Sequence, residues 1–112
     1  MIARIATFPP LPPEQDAAVR RNVRERFMAA LRAQEGFIAG YWLTRADRSW
    51  VSVSVWASEE AQRRGGERAN ATPLLPGQDP ATIPAPATVE TYEVFAQTVS
   101  DDGADATAAP SS

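Results

Sequence analysis

The side chains best suited to chemistry in this 112-residue sequence lie on one short stretch. Trp50, Ser52, Ser54 and Trp56 occupy every second position, and alternate residues of a β-strand point to the same face of the sheet. Indole rings offer flat apolar surface to an aromatic molecule, and serine hydroxyls can donate hydrogen bonds to it. This pattern indicates a face that could bind an aromatic ligand.

The inventory of reactive residues is unusually narrow. The sequence contains no Cys and no His, and all 11 basic residues are Arg, so there is no Lys. These absences exclude disulfides, thiolate nucleophiles, zinc sites built on Cys or His, lysine Schiff bases and a serine nucleophile with the usual imidazole base. The common His and Cys ligands of haem are also missing. Any catalysis must therefore draw its reactivity from the substrate or from a bound cofactor.

Composition and charge predict a folded domain that binds neither nucleic acid nor membrane. Hydrophobic residues make up 44% and charged residues 22% of the chain, as in ordinary globular proteins. The net charge is −3, but residues 1–100 carry 11 acidic and 11 basic residues, which argues against a nucleic-acid surface. No apolar run is long enough to span a membrane, and the N-terminus lacks the apolar core of a signal peptide. We expect a cytoplasmic protein.

Four strands and two helices are predicted around the Trp/Ser stretch. The strands cover residues 2–8, 37–44, 49–56 and 89–98, and the first helix covers residues 14–34. The third strand has no charge on either face, so we expect helices on one face and a partner sheet on the other. The five Arg residues within positions 20–32 are interpreted as a solvated helix face, because acidic residues are interleaved with them.

The remainder of the chain is predicted to be less regular. Ser58 can cap a second helix, but Gly65 and Gly66 interrupt it, so two short helices or a mobile flap are expected there. Five prolines lie within residues 72–88, which predicts an irregular connection. Residues 100–112 contain no aromatic or large aliphatic side chain and are predicted to be a disordered acidic tail.

The order strand, helix, strand, strand, helix, strand is the βαββαβ ferredoxin-like pattern of the α+β class. Within it, the Gly36-Phe37 pair and the segment Trp56-Ala57-Ser58-Glu59-Glu60-Ala61 resemble the antibiotic biosynthesis monooxygenase family. The resemblance covers about residues 2–98, within a domain placed at residues 1–99. It implies a homodimer in which two ferredoxin-like sandwiches form a shared α/β barrel.

The activities found in that family require different residues, so they can be compared with this sequence one by one. Its haem-degrading and autoinducer-processing members depend on His, which this chain lacks. The closer match is to the cofactor-independent oxygenases of aromatic polyketides, which use neither metal nor cofactor. Their motif has Asn four residues before a strand Trp and Tyr six residues after it. Trp56 matches that Trp, while Ser52 and Gln62 stand at the other two positions.

The resemblance therefore implies a cofactor-independent monooxygenase that oxidises an aromatic polyketide or quinol with O2. Catalytic roles are assigned to Trp56 and Ser52, and an Arg of the second helix, Arg64 or Arg68, could contribute only if that helix folds over the pocket. The predicted substrate-binding residues are Trp50, Ser54, Trp42, Phe27 and Arg64. Two alternatives stay open, since these aromatic and small residues also suit simple packing. They are a catalytically silent dimeric domain that binds a small apolar ligand, and a non-oxidative polyketide cyclase or isomerase.

Overall fold

A computed structural model describes residues 1–100 and places the elements in the predicted order. The strands are β1 (Ile2–Phe8), β2 (Phe37–Thr44), β3 (Trp50–Trp56) and β4 (Thr88–Glu93). The helical segments are α1 (Pro13–Asn22), a π-helical turn (Val23–Phe27), α2 (Met28–Arg32), α3 (Glu59–Asn70) and a 3-10 turn (Pro80–Thr82). The tail prediction falls outside the described residues from position 101 onwards.

The four strands form one antiparallel sheet with the order β2-β3-β1-β4, which confirms the ferredoxin-like prediction. The N-terminal strand β1 is central, since it pairs with β3 on one side and β4 on the other. β2 and β3 occupy almost the predicted positions. β4 ends at Glu93, so the predicted extension to residue 98 is wrong. No helix within the described part of the chain is long and apolar enough to cross a membrane.

The first helix begins with Pro13, where a missing N–H leaves no hydrogen bond unmade, and residues 13–32 are helical throughout. The helix differs from the prediction by a π-helical turn at its middle, where the N–H of Met28 donates to the carbonyl of Val23. After the helix, Gly36 has a φ of 84°, a conformation that favours glycine. The helix itself ends at Arg32, earlier than the predicted end at residue 34, and Gly36 lies in the turn that leads into β2.

The second helix corrects the sequence interpretation. α3 is continuous through Gly65 and Gly66, and the Oγ of Ser58 caps it by accepting a 3.1 Å hydrogen bond from the N–H of Ala61. A Cβ at Gly65 would lie only 2.3 Å from Cζ3 of Trp56. The absence of a side chain at this position therefore allows the helix to approach the Trp56 ring, and the predicted interruption does not occur.

The core lies between the helices and one face of the sheet. Its centre is formed by Trp56, Leu31 and Ala69, which are 1%, 3% and 0% exposed. Phe37 packs edge-on against Trp56, with ring centroids 5.2 Å apart. The opposite face of the sheet has no helix over it in the single chain, and it presents Tyr41 among its exposed apolar residues. Helices therefore cover one face of β3, as the sequence analysis predicted.

The proline-rich connection packs against the first helix through a buried arginine. Arg26, only 7% exposed, donates to the carbonyls of Asn70, Thr72 and Pro73 at distances of 2.9–3.1 Å. Its Nη1 also donates to Oδ1 of Asn22, 3.1 Å away. The guanidinium has five N–H donors, so it can satisfy several carbonyl groups at once. This cluster fixes the segment that follows α3 onto the π-helical turn.

Candidate functional site

A cavity of about 920 Å³ lies along the edge strand β2, between that strand and the first helix. Apolar side chains from both elements form most of its walls, namely Val19, Val23, Met28, Phe37, Trp42 and Leu43. Trp50 from β3 and the segment containing Gln97 and Val99 complete the lining. The volume falls within the usual range for small-molecule sites.

The helix side of the cavity is formed by residues spaced by four. We call this set the cavity row; its members are Asp16, Arg20, Arg24, Met28 and Arg32. In a regular α-helix, each step of four residues turns the direction of the side chain by about 40°, so residues 16 and 32 would diverge by roughly 160°. The π-helical turn has a longer repeat and takes up part of this rotation. The turn thus helps to keep the cavity row on one side of the helix.

The cavity row carries excess positive charge. Arg20 is engaged within the protein, because its Nε lies 2.9 Å from a carboxylate oxygen of Asp16 and its Nη2 lies 3.4 Å from Oγ1 of Thr44. Arg24 and Arg32 form no ion pair with any carboxylate in residues 1–100. Their guanidinium groups are therefore the charges that remain for a ligand.

Two of the predicted substrate-binding residues, Trp42 and Trp50, lie in the cavity wall. Trp50 stacks on Phe8 with ring centroids 3.7 Å apart and an interplanar angle of 4°, which fixes its plane. Trp42 meets Phe27 edge-on, with centroids 6.4 Å apart. Phe27 thus supports the wall from the core side, although it does not line the cavity itself. The structure brings these predicted aromatic residues together.

The other predicted residues lie apart from this cavity. Trp56 is buried in the core, and Ser52 and Ser54 occupy the same face of β3. Ser52 lies opposite Trp42 in the sheet, whereas Ser54 lies opposite Gly40. Arg64 is on the surface of α3 and forms an ion pair with Glu60. Ser52 and Trp56 thus do not line the cavity themselves, but each is paired in the sheet with a residue that does, Trp42 and Phe37 respectively. Arg64 does not fold over the cavity.

The sequence interpretation missed the contribution of the first helix. Arg24 and Arg32 are exposed, as the solvated-face prediction requires, and they also border a cavity whose wall includes Val19 and Val23. The signal that could have identified them is the spacing of four that also includes Met28. The solvated-face prediction is wrong for Arg26, which is buried because it donates to the carbonyls of the segment that follows α3. Within residues 1–100, no group of three or more acidic, His or Cys side chains is placed to hold a metal ion.

Comparisons with known proteins agree with this architecture. Residues 1–64 match the family model described as antibiotic biosynthesis monooxygenase. No protein of curated function matches the sequence. The fold is similar to that of a monooxygenase from the gene ActVA-Orf6 of Streptomyces coelicolor, solved with nanaomycin D, at 17% identity and a TM-score of 0.59. That similarity covers 89% of this chain and 92% of the other.

Two further solved structures share the fold. One is a haem-degrading protein from Mycobacterium tuberculosis, crystallised without haem, which is 17% identical with a TM-score of 0.59 over 88% of this chain and 98% of that chain. The other is a protein of unknown function from Nitrosomonas europaea, which is 19% identical with a TM-score of 0.59 over 88% of this chain and 93% of that chain. At these identities the comparisons show a common fold, and function must be argued from the site.

Proposed function

The chain belongs to the antibiotic biosynthesis monooxygenase family, and from this premise we propose that it is a cofactor-independent monooxygenase of a small aromatic polyketide or quinol. The observation that carries the proposal is the cavity along β2, which combines two indole walls with unpaired guanidinium groups. A planar phenol would place its rings against Trp42 and Trp50. Its oxygen would lie within the positive field of the cavity row.

The proposed reaction uses the electrons of the substrate. In an anthrone, the CH2 carbon opposite the carbonyl loses both hydrogens and gains one oxygen atom of O2. Loss of the first hydrogen as a proton gives the phenolate form of the substrate. The second oxygen atom leaves as water with those two hydrogens, so no external reductant is required. The protein's part is to favour the phenolate, because that anion transfers electrons to O2 more readily than the neutral phenol does. Positive charge from Arg24 and Arg32 would stabilise the anion in the required position.

Neither Trp56 nor Ser52 lines the cavity, so the catalytic contribution proposed for them is one of positioning the residues that do. Ser52 shares a sheet face with Trp42, so its hydroxyl is one strand away from the ring that would contact the substrate. Trp56 would act from within the core, where its burial fixes the sheet end that carries Phe37. Ser54, Phe27 and the other aromatic residues would then shape the site.

Oxygen uptake by metal-stripped protein tests this proposal. The substrates would be a panel of anthrones and naphthohydroquinones, with uptake compared against buffer alone. We expect Ser52→Ala and Trp42→Leu to reduce the rate, while Arg21→Gln leaves it unchanged, since Arg21 pairs with Glu25 and does not line the cavity. Folding of each variant is verified by circular dichroism. Uptake no faster than in buffer across the panel would refute the monooxygenase proposal.

The burial of Trp56 favours a second candidate function. This residue is 1% exposed and lines no part of the cavity, so the family-like motif that includes it could serve packing alone. The domain would then bind a small apolar or aromatic ligand without oxidising it. A ligand that prefers the native state must raise the unfolding temperature. Thermal stabilisation by a substrate analogue, without oxygen uptake, would support this second function.

We also propose that the chain is a homodimer through the sheet face that lacks helices. Tyr41 and Leu43 are 49% and 52% exposed there, and Tyr41 lies directly opposite Val53 of the neighbouring strand. Covering such a face removes apolar surface from water. Light scattering after gel filtration should give twice the 12.1 kDa chain mass for the native protein. Val53→Arg should shift it to the monomer, and a native protein that is monomeric at 100 μM would contradict the proposal.

A further inference from the structure

We propose that the ligand of the β2 cavity is an acid-bearing aromatic molecule whose carboxylate is held by Arg24 and Arg32. This inference rests on the proposed function for the location of the site, and it adds the chemical class of the ligand. The cavity is mainly apolar, yet its helix side presents three guanidinium groups and a single carboxylate. Arg24 and Arg32 are exposed at its border, where an anionic group of a bound ligand can reach them.

The charges of the cavity row are divided unequally. Asp16 is paired with Arg20, which also donates to Thr44, so these groups are largely neutralised. Arg24 and Arg32 have no ion-pair partner in the described chain, and both border the cavity together with Met28. The positive charge that remains is thus concentrated at the α2 end of the row.

The apolar and charged parts of the cavity come from different elements. The indole rings of Trp42 and Trp50 come from the sheet, whereas Arg24 and Arg32 come from the helix. An aromatic acid has the same division, with a flat apolar ring and an anionic group at its edge. The planar guanidinium can donate two parallel hydrogen bonds to a carboxylate, which gives the site a preference in geometry as well as in charge.

Size sets a further limit on the ligand. A cavity of about 920 Å³ can accept a bicyclic or tricyclic ring system together with its acidic substituent. The open side along β2 gives the ligand access without a change in the sheet. A phenol with a neighbouring carboxylate fits both the oxidation chemistry proposed above and the charge distribution of the row.

The direct test measures binding of 1-hydroxy-2-naphthoate and of its neutral methyl ester to the full chain. Binding is monitored by the change in tryptophan fluorescence under anaerobic conditions. The two probes share a ring system and differ in charge. We expect the acid to bind about tenfold more tightly at low salt, and its advantage to shrink as salt screens the guanidinium groups. Arg24→Gln and Arg32→Gln should each weaken acid binding by about threefold to fivefold, as expected for partly solvated ion pairs. Neither variant should change ester binding.

Arg21→Gln is the matched control, because it removes one arginine from the same helix outside the cavity. Equal affinities for acid and ester, or equal losses in all three variants, would overturn the inference. Failure of the acid to bind would also overturn it. The outcome is separate from the oxygen-uptake test, which uses anthrones and naphthohydroquinones without a carboxylate. Uptake without acid preference refutes only the ligand class, and acid preference without uptake refutes only the oxidation.

Discussion

The contact between Gly65 and Trp56 gives the sharpest prediction for stability. In Gly65→Ala, the new Cβ would lie 2.3 Å from Cζ3 and 2.6 Å from Cη2 of the Trp56 ring, and 3.1 Å from Cβ of Gln34. The first two distances are more than 1 Å inside normal carbon–carbon contact. The ring cannot turn away easily, because Trp56 is 1% exposed and lies on an inner strand between β1 and β2.

The expected cost is the difference between two effects. Overpacking in a core costs about 1–3 kcal/mol and sometimes more, and the depth of this overlap places Gly65→Ala at the upper end. Replacing Gly by Ala inside a helix stabilises the helix by about 1 kcal/mol, because alanine has the higher helix propensity. The net loss in the free energy of unfolding is thus about 2 kcal/mol, which corresponds to a decrease in Tm of about 8–16 °C for a domain of this size.

Gly66→Ala is the matched control, since its Cβ would meet only Nε2 of Gln62 at 3.5 Å. This variant should be more stable than the native protein by up to about 1 kcal/mol. Urea unfolding at one fixed protein concentration measures both variants and holds the contribution of association constant between them. In a Trp56→Phe background, the atoms that clash are absent, so Gly65→Ala should cost at least about 1.5 kcal/mol less there. The steric argument fails if Gly65→Ala is as stable as Gly66→Ala.

Three further predictions concern other fixed contacts. Arg26→Met leaves the carbonyls of Asn70, Thr72 and Pro73 without their donor, so the free energy of unfolding should fall by about 3 kcal/mol and proteolysis within residues 72–87 should accelerate. Ser58→Ala should cost about 1 kcal/mol in thermal unfolding and Ser58→Gly only a few tenths, because glycine is a better N-cap than alanine. The hydrogen bond from the Tyr92 hydroxyl to Glu90 raises the pKa of Tyr92 above 10.0, so its stabilisation is present below pH 10 and is lost as pH rises through the folded pKa. Absorbance titration at 295 nm should show this shift and its loss in Glu90→Ala; an unchanged titration curve would contradict it.

Much of the fold follows from local sequence signals. The alternation of Val and Trp/Ser placed β3 to within one residue of its observed start, and Pro13 marked the beginning of the first helix. The interpretation of Gly65 failed because helix propensity is a local quantity, whereas this glycine meets a ring from a distant strand. β4 was predicted too long because alternation continues in the sequence after Glu93, where pairing with β1 ends.

Only part of the candidate site could be predicted from the sequence. Trp42 and Trp50 could be identified because aromatic residues on strands commonly form pocket walls. Arg24 and Arg32 could not, since charge on an amphipathic helix ordinarily faces solvent, and the π-helical turn that aligns the cavity row leaves no clear sequence signal. The path of residues 72–87 was also unpredictable, because it depends on the buried position of Arg26.

The central position of β1 imposes an order on folding. Ile2 pairs with Trp56 on one side and with Glu93 on the other, so the first strand to be synthesised receives its second neighbour last. At about 5–20 residues per second, roughly 5–18 s separate the synthesis of these two ends. The β2–β3 hairpin can pair locally during that time, but the sheet cannot close, and contacts this distant in sequence are typical of slow folding. The nascent chain must therefore keep an apolar N-terminal strand from pairing with other chains until almost the whole domain has left the ribosome.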